Sequence, residues 1–227
     1  VVKTDLMLRT AENRRTSGWH EHFRYYYDCL YYMAKMQEFY QDNTAGFHIV
    51  EPKAIWKLYT KKAYEMDSFY RHFHYAFGNS LKNSNALLED KLKHAADYVE
   101  ALYQNWYLGE LTGCWTNAIS EGLSNIGYVS EIAKQHDFYP RYVRPLAGKN
   151  SRAFVIISDA LRYEVAAELC DTIIRTTKGT AKLDAVQAIF PSITKFGMAN
   201  LLPGRNLSVN DAIEVLVDDL PTRSTVE

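Results

Sequence analysis

In three stretches, 18–40, 55–77 and 86–107, the apolar side chains recur with i, i+3, i+4 spacing. In 55–77 they fall at Ile55, Leu58, Tyr59, Met66, Phe69, Tyr70, Phe73 and Phe77. That spacing predicts one long amphipathic helix of six turns. The stretch 18–40 repeats the pattern with Trp19, Phe23, Tyr27, Leu30 and Tyr31, and 86–107 with Leu88, Leu92, Ala95, Val99, Leu102 and Trp106. A fourth helical run covers 109–136, with breaks expected at Gly122 or Gly127. Other breaks are expected at Asn43 to Gly46, near Pro52, at Gly78-Asn79-Ser80 and at Gly109. Asp137 to Asn150, with Pro140, Pro145 and Gly148, reads as a linker.

Beyond 150 the period changes. Ala153-Phe154-Val155-Ile156-Ile157 is a short continuous apolar run, the signature of a strand buried on both faces of a parallel sheet. A helix is expected over Leu161 to Lys178, stopped by Gly179, then a second strand over Leu183 to Phe190 closed by Pro191. Short helices follow over Thr194 to Leu202 and Val209 to Leu220. Strand–helix–strand–helix opens a layered α/β fold. Two strands do not make a stable sheet, so further strands are expected from beyond residue 227 or from another chain. The expected division is a helical domain over 1–148 and an α/β segment over 149–227.

Composition sharpens that boundary. Sixteen of the 17 tyrosines, all four tryptophans and all seven histidines precede residue 150. The net charge is −1, and neither half is strongly basic or acidic, so no whole-chain footprint for nucleic acid exists. Three widely spaced cysteines, Cys29, Cys114 and Cys170, form no CxxC pair and fit a reducing compartment. No apolar run approaches the ~20 residues of a membrane span, and no secretory leader is visible, so the cytoplasm is expected. The first residue is not methionine, which reads as a piece of a longer protein.

Four features could carry chemistry. Asp159 lies just past the carboxyl end of an expected buried strand, where α/β sheets bind ligands, and its carboxylate suits a divalent cation. The same position suits Ser158 or Asp159 as a helix N-cap. Thr194 opens an expected helix, where a hydroxyl could serve as a metal-activated nucleophile, or where Ser192 or Thr194 could cap the helix. The pairs His20/His22 and His72/His74 are spaced i, i+2 and point to different helix faces, which disfavours a metal pair. The clusters Tyr25-Tyr26-Tyr27 and Tyr31-Tyr32 read as core or protein interface rather than as a base-stacking surface.

The run Val155-Ile156-Ile157-Ser158-Asp159-Ala160-Leu161-Arg162-Tyr163-Glu164, followed about 35 residues on by Pro191-Ser192-Ile193-Thr194-Lys195-Phe196-Gly197-Met198-Ala199-Asn200-Leu201-Leu202-Pro203, closely resembles the PglZ family. That family belongs to the alkaline phosphatase superfamily and is a core component of BREX phage-defence systems. Glu12-Asn13-Arg14-Arg15-Thr16 with the Tyr-rich helix after it resembles the segment preceding the PglZ domain. The resemblance implies an alkaline phosphatase-like α/β fold, incomplete in this chain, behind an all-α aromatic-rich domain. It implies Asp159 as a metal ligand and Thr194 as nucleophile and ligand of the same ion, with Arg162 and Lys195 as phosphate contacts. Two divalent ions, usually zinc, and phosphatase or phosphodiesterase chemistry on a phosphoester or nucleic-acid-derived substrate are implied for the full-length protein. The superfamily's later Asp and His ligands have no counterpart before Glu227, so the chain alone is expected to be inactive. Implied partners are other BREX components, without a membrane. The competing expectation is a non-catalytic scaffold that assembles other defence proteins. A third, nucleic-acid binding through the helical part, would be favoured by a clustered Lys/Arg face on the folded helices.

Overall fold

The computed structural model describes residues 3–18, 20–83, 86–148, 152–204 and 206–222. Trp19 and the expected boundary at 148/149 touch positions outside these. The chain forms two compact units, Val1–Ala118 with Tyr163–Glu168, and Ile119–Arg162 with Leu169–Glu227.

The first unit is helical, as the 3.6-residue period requires. Its elements are α1 (Thr4–Arg15), α2 (His20–Asp42), α3 (Pro52–Leu58), α4 (Tyr64–Ser80) and α5 (Ala86–Glu100). The expected helix 55–77 is α3 and α4 joined through a π-helical turn, Tyr59–Ala63. A longer π segment, Ala101–Leu108, joins α5 to α6 (Gly109–Ile126), so the break expected at Gly109 does not occur. Wide turns of this kind are inserted where side chains must be re-aimed without ending the helix. Here Tyr107 on one π segment donates its hydroxyl to the carbonyl of Ala63 on the other, at 2.8 Å. The core gathers Met36, Met66, Phe73, Leu92, Val99 and Tyr107, with Tyr25, Tyr26 and Tyr32 packed against it. These three tyrosines therefore serve packing, as aromatic residues on a helical stripe should. Two polar ties reach into this core. Asp67 accepts the hydroxyls of Tyr59 and Tyr103, each at 2.7 Å. Glu164 accepts the Nε–H of Arg71 at 2.9 Å with its side chain fully buried.

In the second unit α6 ends at Ile126, and Gly127 takes a left-handed φ of +71° that only glycine adopts freely. The expected linker is not plain loop. Gln135–Asp137, Tyr139–Val143 and α7 (Arg144–Ala147) are short helical turns. Two helices lie close to their expected bounds, α8 (Tyr163–Thr176) and α9 (Thr194–Asn200).

The sheet differs from expectation. The apolar segments 153–157 and 183–190 form no ladder with each other. The single bridge found in either is a parallel one between Gln187 and Lys134. A strand apolar on both faces needs neighbours on both sides, and none stands beside 153–157 among the described residues. Phe154 and Ile156 are 84% and 91% exposed.

The helix expected over Val209 to Leu220 is instead a small antiparallel meander, β1 (Leu207–Val209), β2 (Val215–Val217) and β3 (Leu220–Pro221). The reason is turn chemistry. Asn210 Oδ1 accepts the backbone N–H of Ala212 and Glu214, folding the chain back. Asp218 and Asp219 both take positive φ, 48° and 65°, between the paired residues Val217 and Leu220. That is the two-residue hairpin favoured by strand twist.

Candidate active-site cleft

Asp159 ends the apolar segment 153–157 and its Ser158. The next residue, Ala160, has a left-handed φ of 57°, and its N–H is held by Asp159 Oδ1 at 3.0 Å. The carboxylate thus turns its own loop. Helix α8 begins only at Tyr163, with Arg162 at its N-cap, so neither Ser158 nor Asp159 caps it. Thr194 is the first residue of α9, and Ile193 occupies the N-cap with no side-chain bond. The Thr194 hydroxyl donates instead to Asp159 Oδ2 at 3.4 Å, across 35 residues of sequence.

These two side chains line a cleft of about 250 Å³ with Gln135, Ser158, Ser192 and Gly197, over an apolar wall that includes Ile157, Ile193 and Leu201. Both are exposed to it. Arg162 is exposed at the start of α8 and stands outside the lining. Lys195 also stands outside it. Its ammonium lies 3.2 Å from the Ile213 carbonyl and 5.4 Å from the centre of the Phe196 ring.

Whether these oxygens suit a metal is a matter of spacing. Ligand oxygens about 2.0–2.2 Å from a tetrahedral zinc lie about 3.3–3.6 Å from each other. The Thr194–Asp159 separation of 3.4 Å fits that range. Among the described residues no group of three or more His, Cys, Asp or Glu side chains is placed to hold an ion. The residues present therefore fit two positions of a ligand set. His72 and His74 are engaged in the helical unit. His72 stacks on Tyr32 at 4.9 Å and approaches Glu168 at 3.3 Å, while His74 lies 3.1 Å from Glu100.

Gln135 is a cleft residue that the pattern of the sequence does not mark. It lies in a polar stretch with no motif. Its place is set by Gln187, whose side chain bonds Val129 N and O and Ile132 O at 2.8, 2.8 and 2.6 Å. The Gln187 backbone adds bonds to Ala133 and Gln135. Together they dock 129–135 beside the segment that leads to Thr194. No sequence signal distinguishes such a glutamine from a surface one, because its partners are backbone atoms about 55 residues away.

Residues 138–227 match the family model described as the BREX system PglZ alkaline phosphatase-like domain. The chain is 36% identical over 216 residues to the alkaline phosphatase-like protein PglZ of Bacillus cereus (strain H3081.97), covering 93% of this chain and 24% of that protein. It is 35% identical over 184 residues to the alkaline phosphatase-like protein BrxZ of Escherichia coli O9:H4 (strain HS), covering 80% of this chain and 21% of that protein. The chain thus spans about a quarter of the length of these curated relatives. No solved structure matches it. The two motifs, the matched domain and the similarity along most of the chain agree: the chain is similar to the PglZ family along most of its length and matches that family's domain over residues 138–227.

Proposed function

We propose that the full-length protein is a metal-dependent phosphoesterase of a BREX phage-defence system, working with other BREX proteins, in which Asp159 is a metal ligand and Thr194 the nucleophile. The observation that carries the reading is the 3.4 Å approach of Thr194 Oγ to Asp159 Oδ2 in an open cleft, within a domain of the alkaline phosphatase-like family. A bound divalent cation, zinc in the usual case and one of two, would favour the alkoxide form of the threonine and neutralise phosphate oxygens. Asp159 holds the Thr194 hydroxyl by accepting its hydrogen, which leaves an oxygen lone pair for the cleft. Thr194 Oγ, its proton released to solvent through the open cleft, bonds to phosphorus as the ester P–O bond breaks, and the departing oxygen takes that electron pair and a proton from water. Water removes the phosphoryl group from Thr194 in a second displacement. Arg162 and Lys195 serve this reading as phosphate contacts only if their side chains swing into the cleft.

The test uses full-length protein loaded with zinc or manganese. Thr194→Ala should retain bound metal and lose at least about a hundredfold in kcat, as expected when a nucleophile is removed. Asp159→Ala should lose metal affinity in an equilibrium dialysis measurement. Wild-type kcat in Thr194→Ala would remove the nucleophile assignment. A full-length protein that turns over no phosphoester with any divalent metal would favour the scaffold role instead.

A further inference from the structure

The helical unit contains a second cleft, of about 260 Å³, lined by Ile55, Trp56, Tyr59, Leu111, Thr112 and Trp115. Five of these six side chains are apolar or aromatic. The Tyr59 hydroxyl is committed to Asp67, so its ring rather than its polar tip serves the cleft. Trp56 and Trp115 are half-buried, with ring centroids 6.0 Å apart and planes tilted by 38°. That spacing is too close to admit a third ring between them, and both indoles line the cleft.

The walls carry an uneven charge. From Pro52 to Tyr64 there are four lysines and no Asp or Glu, and from Leu111 to Ser120 no charged residue at all. Lys53, Lys57 and Lys61 recur at i, i+4 and i+8 along α3 and its π turn, all exposed. Residues at this spacing lie along one face. Lys62 turns away to Asp42, at 3.8 Å, and over the Phe39 ring. Three exposed lysines thus share the helix and π turn that supply Ile55, Trp56 and Tyr59 to the aromatic slot.

We propose that this face binds single-stranded nucleic acid, one base stacking in the Trp56–Trp115 cleft and the phosphates following Lys53, Lys57 and Lys61. Aromatic faces stack on any base, and a lysine row tracks a backbone without reading sequence. An uncharged apolar partner would gain nothing from the lysines. A double helix would keep its bases stacked away from the indoles.

The experiment measures binding of a fluorescent 20-nucleotide oligothymidylate to full-length protein by anisotropy over a series of salt concentrations. All variants carry Thr194→Ala, so that turnover does not consume the probe and a failed phosphoesterase assignment leaves this measurement intact. Trp115→Ala should weaken binding about tenfold or more, the usual effect of losing one base stack. Trp115→Phe, which keeps an aromatic face, should restore most of it. The pair Lys57→Gln/Lys61→Gln should lower the slope of log K against log salt by about 1.4, at about 0.7 per lost contact with a single strand. Absence of oligonucleotide binding in the Thr194→Ala parent would overturn the proposal. So would binding that all these variants leave unchanged, or a loss in Trp115→Ala that Phe does not rescue. Tight binding of a poly(Glu,Tyr) peptide without affinity for the oligonucleotide would mark the cleft as a peptide site and overturn it as well.

Discussion

Gln187 lies in a segment whose apolar pattern reads as a strand, yet its buried carboxamide fastens a separate loop by three bonds. Gln187→Leu keeps the bulk and leaves the Val129 N–H without its acceptor. The expected cost is about 1–3 kcal/mol, read as a lower Tm in thermal unfolding. An unchanged Tm would mean that the loop is held by other contacts. Cys29 offers a second reading at this scale. It is 1% exposed, and burial pushes its thiol up to about 12. Native protein treated with iodoacetamide at pH 8 should therefore be alkylated at Cys114 and Cys170 first, since the thiolate is the reactive form. His74 and Glu168 give the helical unit a pH dependence. Burial lowers the His74 pKa from its usual value near 6.5, against an opposing pull from Glu100. Burial raises the Glu168 carboxyl, but Arg71 and His72 outweigh it and the net shift is down. Both depressed groups contribute stability above their unfolded pKa values and lose it as pH falls. Stability should decline first below about pH 6.5 through His74, and His74→Asn should flatten that first decline in a denaturation series. Asp159 and Thr194 were legible at this scale because they stand in two ordered motifs. Trp56 and Trp115 were not, because residues 59 apart in sequence share a cleft only after folding.

At the scale of elements, helical content was legible and helical detail was not. The i, i+3, i+4 pattern survives a π turn with a small shift of phase, so 55–77 reads as one helix although Tyr59–Ala63 is wider than α. Gly109 reads as a stop but sits inside a helix that the Ala101–Leu108 segment carries onward. The link between the two π segments is testable. Tyr107→Phe preserves the buried ring and removes the hydroxyl donated to Ala63 O. A loss of about 1–3 kcal/mol is expected if that carbonyl is left unpaired, and unchanged stability would show that another group takes it. The meander at 207–221 was misread because Val209, Ile213, Leu216 and Leu220 also fit a helical stripe. Asn210 and the Asp218-Asp219 pair decide the matter through backbone geometry that no hydrophobic period reports.

At the scale of the molecule, composition and compact units divide the chain differently. The composition break places a boundary at 148/149, whereas the division between units falls at Ala118/Ile119, within continuous helix α6. A protease needs several residues of accessible non-helical backbone. Limited trypsin digestion is expected to cut first within 137–150, at Lys149, because Pro145 blocks cleavage after Arg144 and Arg141 lies in the turn Tyr139–Val143. First cleavage inside 55–77 would count against a domain boundary there.

The exposed run Ala153 to Ile157 also bears on how the isolated chain behaves in a tube. Five uncharged residues, four of them of high β propensity and none Pro or Gly, meet the description of a segment that stacks with copies of itself. Arg152 and Asp159 are its nearest charged neighbours and act as gatekeepers at either end. On prolonged warming a solution of residues 1–227 should develop thioflavin T fluorescence, and Ile156→Lys should delay it. The same five residues whose sequence reads as a buried strand would then be the seed of a fibril.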